Sequence, residues 1–381
     1  MLFDRRYEYI QILKEKKLKL ELRDYQLFKN RDKKRYIPVK IKPRTITTEF
    51  GNLAFERHIY KYYSNKKWKY IALLDKELNL KKYSKLDLSL IELIKEQLGT
   101  GKRYRDIIDM YPEAKLSPMT ISRIFKSIKN DYKRNSVTKK IILKDKQIVY
   151  IFTDDSFVNV VKFNREKRRL YKSKKDTQIR SISFSTGFEP KTINKKRRKL
   201  QNKRVSFLIG KDEKLNREEL ALWVREQGNI FYENFDNAQL IIGGDGAQWI
   251  KNLAYELGGK YILDRFHAVR ELKRVFYYSN IKNGKHVFKI TVNYFYAGMY
   301  EELMILLKEF SKNKQFINYF KNNKFGIINQ GEFWNIGVSA ESDVSRLVKS
   351  ALGYGSKVYS FEVLKNSLNE RAFRINNNFL V

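Results

Sequence analysis

Cysteine is absent from the 381 residues. Its absence excludes disulfides, thiolate zinc sites and a thiol nucleophile, and it suits a reducing cytosol. Any metal must be held by oxygen or imidazole. Long apolar runs are missing too: no stretch reaches the roughly 18 residues of a membrane span. The opening "MLFDRRYEYIQILKEKK" lacks the apolar core of a signal peptide. A soluble protein that stays inside the cell is expected, with no membrane partner. Acidic residues are scarce, 42 Asp plus Glu against 79 Lys plus Arg, for a formal charge of +37. No fold needs such an excess for its own stability, so the expected partner is a polyanion, nucleic acid. A lysine-rich proteome would also coat an ordinary enzyme with charge. It does not readily supply "REKRR" (165–169) and "KKRRK" (195–199), where arginine, the better phosphate fork, is concentrated. Arg168, Arg169, Lys196, Arg197 and Arg198 are the backbone contacts expected from these clusters.

Hydrophobic residues make up 42% of the chain and aromatic residues 14%, enough for at least one full core. Residues 1 to about 34 place Tyr9, Ile10, Leu13, Leu18, Leu20 and Leu22 among lysines at helical spacing, which predicts a basic amphipathic helix or helix pair. "RTITTEFGNLAFERHIYKYY" (44–63) reads as a β-hairpin about Phe50-Gly51-Asn52. Residues 102–129 hold two helices separated by Tyr111-Pro112, with Ser117 as N-cap and Pro118 as the first residue of the second. That is the outline of a helix-turn-helix. Thr120, Ser122, Arg123 and Lys126 would face outward and Ile121, Ile124 and Ile128 inward, which makes Arg123 and Lys126 candidate DNA contacts. A plain helical hairpin explains the same spacing. Residues 1–140 therefore read as an N-terminal basic DNA-binding region, closed by the basic segment 129–140.

Residues 141–381 read as a second, mixed α/β domain. Strands are expected at 147–153, 156–162, 180–186 and 204–209, then a helix at 216–233, a strand at 239–243, a helix at 247–257 and a strand at 260–263. Three hairpin-like strands followed by alternating helix and strand is the order of an RNase H-like fold, a mixed sheet with flanking helices. Residues 265 to about 325 read as continuous helix, a helical insertion.

Five acids interrupt this pattern. Asp154 and Asp155 follow the apolar run Val149 to Phe152, where acids cost stability unless paired or exposed. Successive strand residues face opposite ways, so only one of the two can face a metal. Asp245 follows a buried strand between Gly244 and Gly246, whose missing side chains would let a large ligand approach. Asp264 ends the next strand, and Glu341 falls in the first turn of a predicted helix whose Val344 and Val348 face inward with it. Two strand-end aspartates and a helical glutamate make an oxygen-only site suited to Mg2+ or Mn2+. Two such ions together serve phosphodiester hydrolysis or transfer. The bland alternatives stand beside these readings: a turn acid for Asp155, an ordinary first-turn acid for Glu341, a structural role for His267, and core packing for Trp249 and Trp334.

"YIFTDDSFV", "IIGGDGAQWI", "LDRFHAV" and "GVSAESDVSRLV", in this order and with a helical stretch before the last, resemble the ISLre-type insertion-sequence transposases, distant kin of the Mutator-type DDE transposases. The likeness also includes "TTEFGNLAFERHIY" and is nearest to transposase-like proteins of integrative conjugative elements. The resemblance implies that Asp154, Asp245 and Glu341 form a metal-binding triad, and that Asp264 to His267 corresponds to a D-x-x-H signature, with His267 in the active site. It favours Asp154 over Asp155. It further implies a cytoplasmic, nucleoid-associated bacterial enzyme that cleaves and joins double-stranded DNA at mobile-element ends and target, with two Mg2+ or Mn2+ ions and at least a homodimer. The chain departs from related sequences at Phe152 and Phe157, where an acid and a histidine often stand. Two rivals remain: a degenerate DNA-binding regulator, and an RNase H-like nuclease without strand transfer.

Overall fold

An unbroken run of helix-forming residues gives one 29-residue helix, α1 (Leu2–Asn30), where the sequence allowed a pair. The computed structural model describes residues 2–127, 137–164, 166–175, 177–189, 199–210, 215–277, 283–353 and 357–378. The chain divides into two compact units, Met1–Ile128 and Lys129–Val381.

In the first unit, β1 (Ile37–Thr48) and β2 (Gly51–Ser64) pair antiparallel from Thr48 opposite Gly51. The hairpin is longer than the expected 44–63, and it gains a third strand, β3 (Lys67–Ile71). Asn65 and Lys66 link β2 to β3 with φ of 54° and 59°, the backbone of a two-residue type I′ turn. β3 covers only Tyr60–Ser64 of β2. Farther up β2, the backbone N–H groups of Glu56 and His58 donate to carboxylates of Glu21 and Asp24, each at 3.0 Å. Side chains of α1 thus occupy a strand edge that would otherwise template pairing with another chain. Helices α2 (Leu73–Glu77), α3 (Leu88–Gly99), α4 (Tyr104–Met110) and α5 (Pro118–Ser127) complete the unit. A short 3-10 turn, Pro112–Ala114, and a left-handed Lys115 separate α4 from α5.

The second unit carries β4 (Ile141–Ile142), β5 (Ile148–Val158), β6 (Val161–Asn164), β7 (Arg169–Lys172), β8 (Thr177–Ser185) and β9 (Arg204–Ile209). Then come α6 (Arg217–Phe231), β10 (Tyr232–Glu233), β11 (Gln239–Gly244), α7 (Gln248–Glu256) and β12 (Lys260–Leu263). Five strands form a mixed sheet in the order β12-β11-β5-β8-β9. β5, β8 and β9 run antiparallel to one another, whereas β11 and β12 lie parallel to β5. One long strand, β5, replaces the two expected at 147–153 and 156–162, because its pairing with β8 continues without a break through Asp154 and Asp155 to Val158. The residues after 160 form a separate two-stranded ribbon, β6 with β7.

The period-two alternation of β5 sorts its side chains. Val149 and Ile151 join Ile182, Phe184, Ile242 and Leu263 in the main core under α6 and α7. Tyr150 and Phe152 face the other way, with Ile241, Ile262, Trp334 and Ala340. The stretch expected as continuous helix is instead α8 (Arg265–Leu272), a π-helical turn over Lys273–Tyr277, α9 (Gly284–Ala297), α10 (Tyr300–Phe310), α11 (Lys314–Asn322) and α12 (Lys324–Ile328). Gly298 in the left-handed region ends α9, and Asn313 caps α11. Buried Phe295, Leu303, Leu307 and Phe320 tie these helices to the main core.

Then follow α13 (Ala340–Val344), a π-helical turn over Ser345–Lys349, and α14 (Phe361–Asn376). α14 covers β9 through Leu364 and Leu368 against Val205 and Phe207. At its end the Asn376 side chain accepts from the Val205 N–H at 2.7 Å and donates to the Val205 carbonyl at 2.9 Å.

Candidate active site

Parallel pairing brings Asp154, Asp245 and Asp264 to one side of the sheet. Gly243 pairs with Phe152 on β5 and with Ile262 on β12, and Gly244 pairs with Leu263. Asp154 and Asp245 each lie two residues past the Phe152–Gly243 pair. The Asp264 N–H donates to the Gly244 carbonyl at 2.8 Å, extending the ladder and setting Asp264 beside Asp245. Three acids therefore stand level across three adjacent parallel strands: Asp245 and Asp264 just past the carboxyl ends of β11 and β12, and Asp154 inside β5, just past the end of its pairing with β11, on the side where open α/β sheets place their ligands.

Alternation separates Asp154 from Asp155. Asp154 shares a face with Phe152 and lies opposite Ser181, is only 9% exposed, and its Oδ1 accepts from the Asp155 N–H at 2.8 Å. Asp155 faces the other way. It is not the expected turn acid: Arg180 grips it with two bonds of 2.9 and 3.0 Å, and Gln178 donates a third at 2.8 Å. The Arg180 guanidinium stacks 3.5 Å over the Trp249 ring. Asp155 and Trp249 thus belong to a charge-stacked clamp on the far face. Trp334 is 4% exposed, and its carbonyl accepts from the Tyr150 hydroxyl at 2.7 Å. Both tryptophans are occupied with packing.

The glycines beside Asp245 have a different use from the expected opening for a ligand. A Cβ at Gly244 would meet the Ile250 side chain at 2.4 Å and the Thr153 carbonyl at 2.8 Å, so α7 fills that space. Gly246 has φ of 100°, a backbone shape that L side chains rarely adopt, and a Cβ there would crowd Asn323 and Tyr319. The Asp245 Oδ1 accepts from the Ala247 N–H at 2.9 Å, and the Tyr319 hydroxyl donates to the Asp245 carbonyl at 3.0 Å. Burial, then the charges of Asp245 and Asp264, push the Tyr319 hydroxyl well above the ordinary phenol range. Tyr319 is a neighbour that the sequence did not suggest, since 74 residues separate the pair.

Asp264 caps α8: Oδ1 accepts from the Phe266 N–H at 3.0 Å, while His267 Nδ1 donates to Oδ2 at 2.8 Å. Asp264 is 2% exposed. The hydrogen bond to Asp264 raises the His267 pKa, burial opposes it, the charges of Asp264 and Asp245 add to the rise, and that of Arg270 subtracts.

Glu341 lies on α13, one residue after buried Ala340, on the sheet face that also carries Asp154. Its side chain lies outside the described residues. Gly243 brings this segment in, for a Cβ there would meet Val338 at 2.7 Å. Two positions farther along the helix, Asp343 takes an ion pair from Lys203 at the start of β9 and a hydrogen bond from Ser339 at 3.2 Å. Among the described residues, no group of three or more Asp, Glu or His side chains gathers into a metal cage. Asp154 and Asp245 offer carboxylate oxygen, the donor type that suits a hard divalent cation.

The other candidate residues lie elsewhere. Arg168 and Arg169 are exposed on the ribbon of β6 and β7. Lys196, Arg197 and Arg198 lie outside the described residues. Arg123 and Lys126 are exposed on α5 of the first unit, whose opposite side buries Ile121, Ile124 and Phe125. Ile128 lies outside the described residues, and Phe125, packed on Tyr104, is an inward residue the spacing had not suggested. The Ser117 hydroxyl accepts from the Thr120 N–H at 3.1 Å, the expected N-cap bond.

Residues 11–310 match a family described as "Uncharacterised protein family (UPF0236)". The chain belongs to that family. One UPF0236 relative, from Caldanaerobacter subterraneus subsp. tengcongensis, is 24% identical over 365 residues, spanning 91% of this chain and 70% of the relative. Its name joins eleven locus designations. A second UPF0236 protein of that bacterium is 24% identical over 364 residues with the same coverage, and its name joins four. Among solved structures, this UPF0236 chain is similar to the Drosophila P element transposase strand transfer complex, at 10% identity and a TM-score of 0.28, over 79% of this chain and 81% of that one. No described helix is long and apolar enough to cross a membrane.

Proposed function

We propose that this UPF0236 chain is a metal-dependent DNA transposase of the DDE type, with an RNase H-like catalytic unit. The observation that carries the reading is the alignment of Asp154, Asp245 and the Asp264–His267 pair across three adjacent parallel strands, with α13, the helix that carries Glu341, on the Asp154 face. The strand order, three antiparallel strands with two parallel strands added beside the first, supports the RNase H-like assignment. The eleven locus designations of one relative suit a gene that copies itself. Asp154, Asp245 and Glu341 would hold Mg2+ or Mn2+, which when bound supplies Lewis-acid stabilisation of charge on phosphate oxygen.

The chain's own residues do the remaining work. Asp264 orients the His267 ring and holds its proton, leaving the other ring nitrogen to hydrogen-bond a phosphate or a hydroxyl. The Arg180 clamp keeps Asp155 turned away, so that a single carboxylate of the pair faces the reacting strand. Lys203 and Asp343 anchor the helix bearing Glu341. Exposed Arg123 and Lys126 would contact DNA through α5, and Arg168 and Arg169, with Lys196, Arg197 and Arg198, would bind DNA phosphates.

Incubation of the full chain with Mg2+ or Mn2+ and duplex DNA carrying the element ends tests this. Nicked and joined products are expected, and Asp245→Asn should abolish both while leaving folding and DNA binding nearly intact. Nicking without joining would reduce the activity to that of a nuclease; a fully active Asp245→Asn would remove the triad.

A further inference from the structure

The sheet of the first unit carries an exposed aromatic face. Tyr63 lies opposite Trp68, and Lys61 opposite Tyr70. Directly paired residues point to the same side, so these four share one face. Tyr63 is 61% exposed, Trp68 54% and Tyr70 68%. Burying three large rings in a core is the ordinary use of such residues, and here three stand open on one hairpin.

The surroundings are basic. Between Ile59 and Ile71 the chain has Lys61, Lys66, Lys67 and Lys69 and no acid; Lys61 shares the face of the rings and Lys66 sits in the turn beside them, while Lys67 and Lys69 alternate to the other side. The Lys61 ammonium sits 5.2 Å over the Trp68 ring, and the Tyr63 ring meets Trp68 edge-on at 5.5 Å between centroids. The type I′ turn at Asn65 and Lys66 fixes the register, so the rings are held in place before any partner arrives. An exposed ring set within positive charge matches a partner that is both flat and anionic.

We propose that the hairpin of β2 and β3 is a stacking platform for unpaired bases of single-stranded DNA, with Trp68 and Tyr70 under the bases and Lys61 and Lys66 along the phosphates. Duplex DNA hides its base faces and would engage only the lysines. The platform rests on the DNA-processing reading, in which strands are parted near the cut, and it assigns that task to a surface outside the acid site.

Fluorescence anisotropy with a short labelled oligonucleotide, single-stranded or annealed, tests the assignment on the full chain. Trp68→Ala and Tyr70→Ala should each weaken single-strand binding roughly 5- to 150-fold, with about a twofold change or less for the duplex. Trp68→Phe should restore much of the loss, whereas a fold defect would not discriminate between the two DNA forms. Lys61→Ala should weaken both forms alike. Equal losses on both forms for Trp68→Ala, or no loss on either, would overturn the platform. A chain that never nicks DNA yet shows the single-strand discrimination would keep the platform and lose the transposase.

Discussion

Asp154 and Asp155 are neighbours with opposite assignments, and alternation alone decides which is which. Asp155 and Arg180 are each less than one-fifth exposed, so removing the cation leaves a poorly solvated carboxylate and uncovers the Trp249 ring. Arg180→Ala is expected to cost about 3 kcal/mol in urea unfolding. A loss below about 1 kcal/mol would mean that Asp155 finds water instead. At His267 the sign of the pH effect follows from the raised pKa. The folded state holds the proton more tightly, so the stabilisation from the Asp264 pair is complete below the ordinary imidazole value of about 6.5 and is lost as pH rises through the raised one. Asp264, Asp245 and Arg270 are the charges acting on this group. His267→Gln should therefore lower the melting temperature more at about pH 5.5 than at about pH 8.5. An equal drop at both would assign His267 to packing alone.

At the scale of elements, α5 presents Arg123 and Lys126 on one side and buries Ile121, Ile124 and Phe125 on the other. If it reads bases, Arg123→Ala should weaken binding to the element end by about 1 to 3 kcal/mol more than binding to scrambled duplex, measured by competition. Equal losses would make it a phosphate contact. The helix was legible because its cap and its three-to-four spacing are local signals, and the same holds for β11, α7 and β12. The hairpin between β2 and β3 was not, since its turn is Asn-Lys and not the stronger Asn-Gly signal. The unity of β5 was hidden because two acids in a strand interior look like an end, and the cross-strand Arg180 that makes the Asp155 carboxylate tolerable there is 25 residues away. Likewise, Gly244 looked like room for a ligand, whereas Ile250 from the following helix occupies it.

Across the whole molecule, the formal charge of +37 is the property most open to direct measurement. If the basic residues bind phosphate, the logarithm of the DNA association constant should fall with the logarithm of salt at about 0.9 per neutralised phosphate. A flat dependence would return the charge to composition bias. The sequence carried this expectation with no structure at all, because charge sums without geometry. The acid site needed the topology, as Asp245 and Asp154 become neighbours only when β11 pairs with β5.

The grip of Asn376 on β9 has a consequence for how the protein is made. Val205 and its partner are 171 residues apart, so at a synthesis rate of about 5–20 residues per second the outer strand waits roughly 10 to 30 s for the side chain that closes it. Through that interval a nascent chain exposes a sticky border, and neighbouring ribosomes on one message hold identical borders within reach of each other.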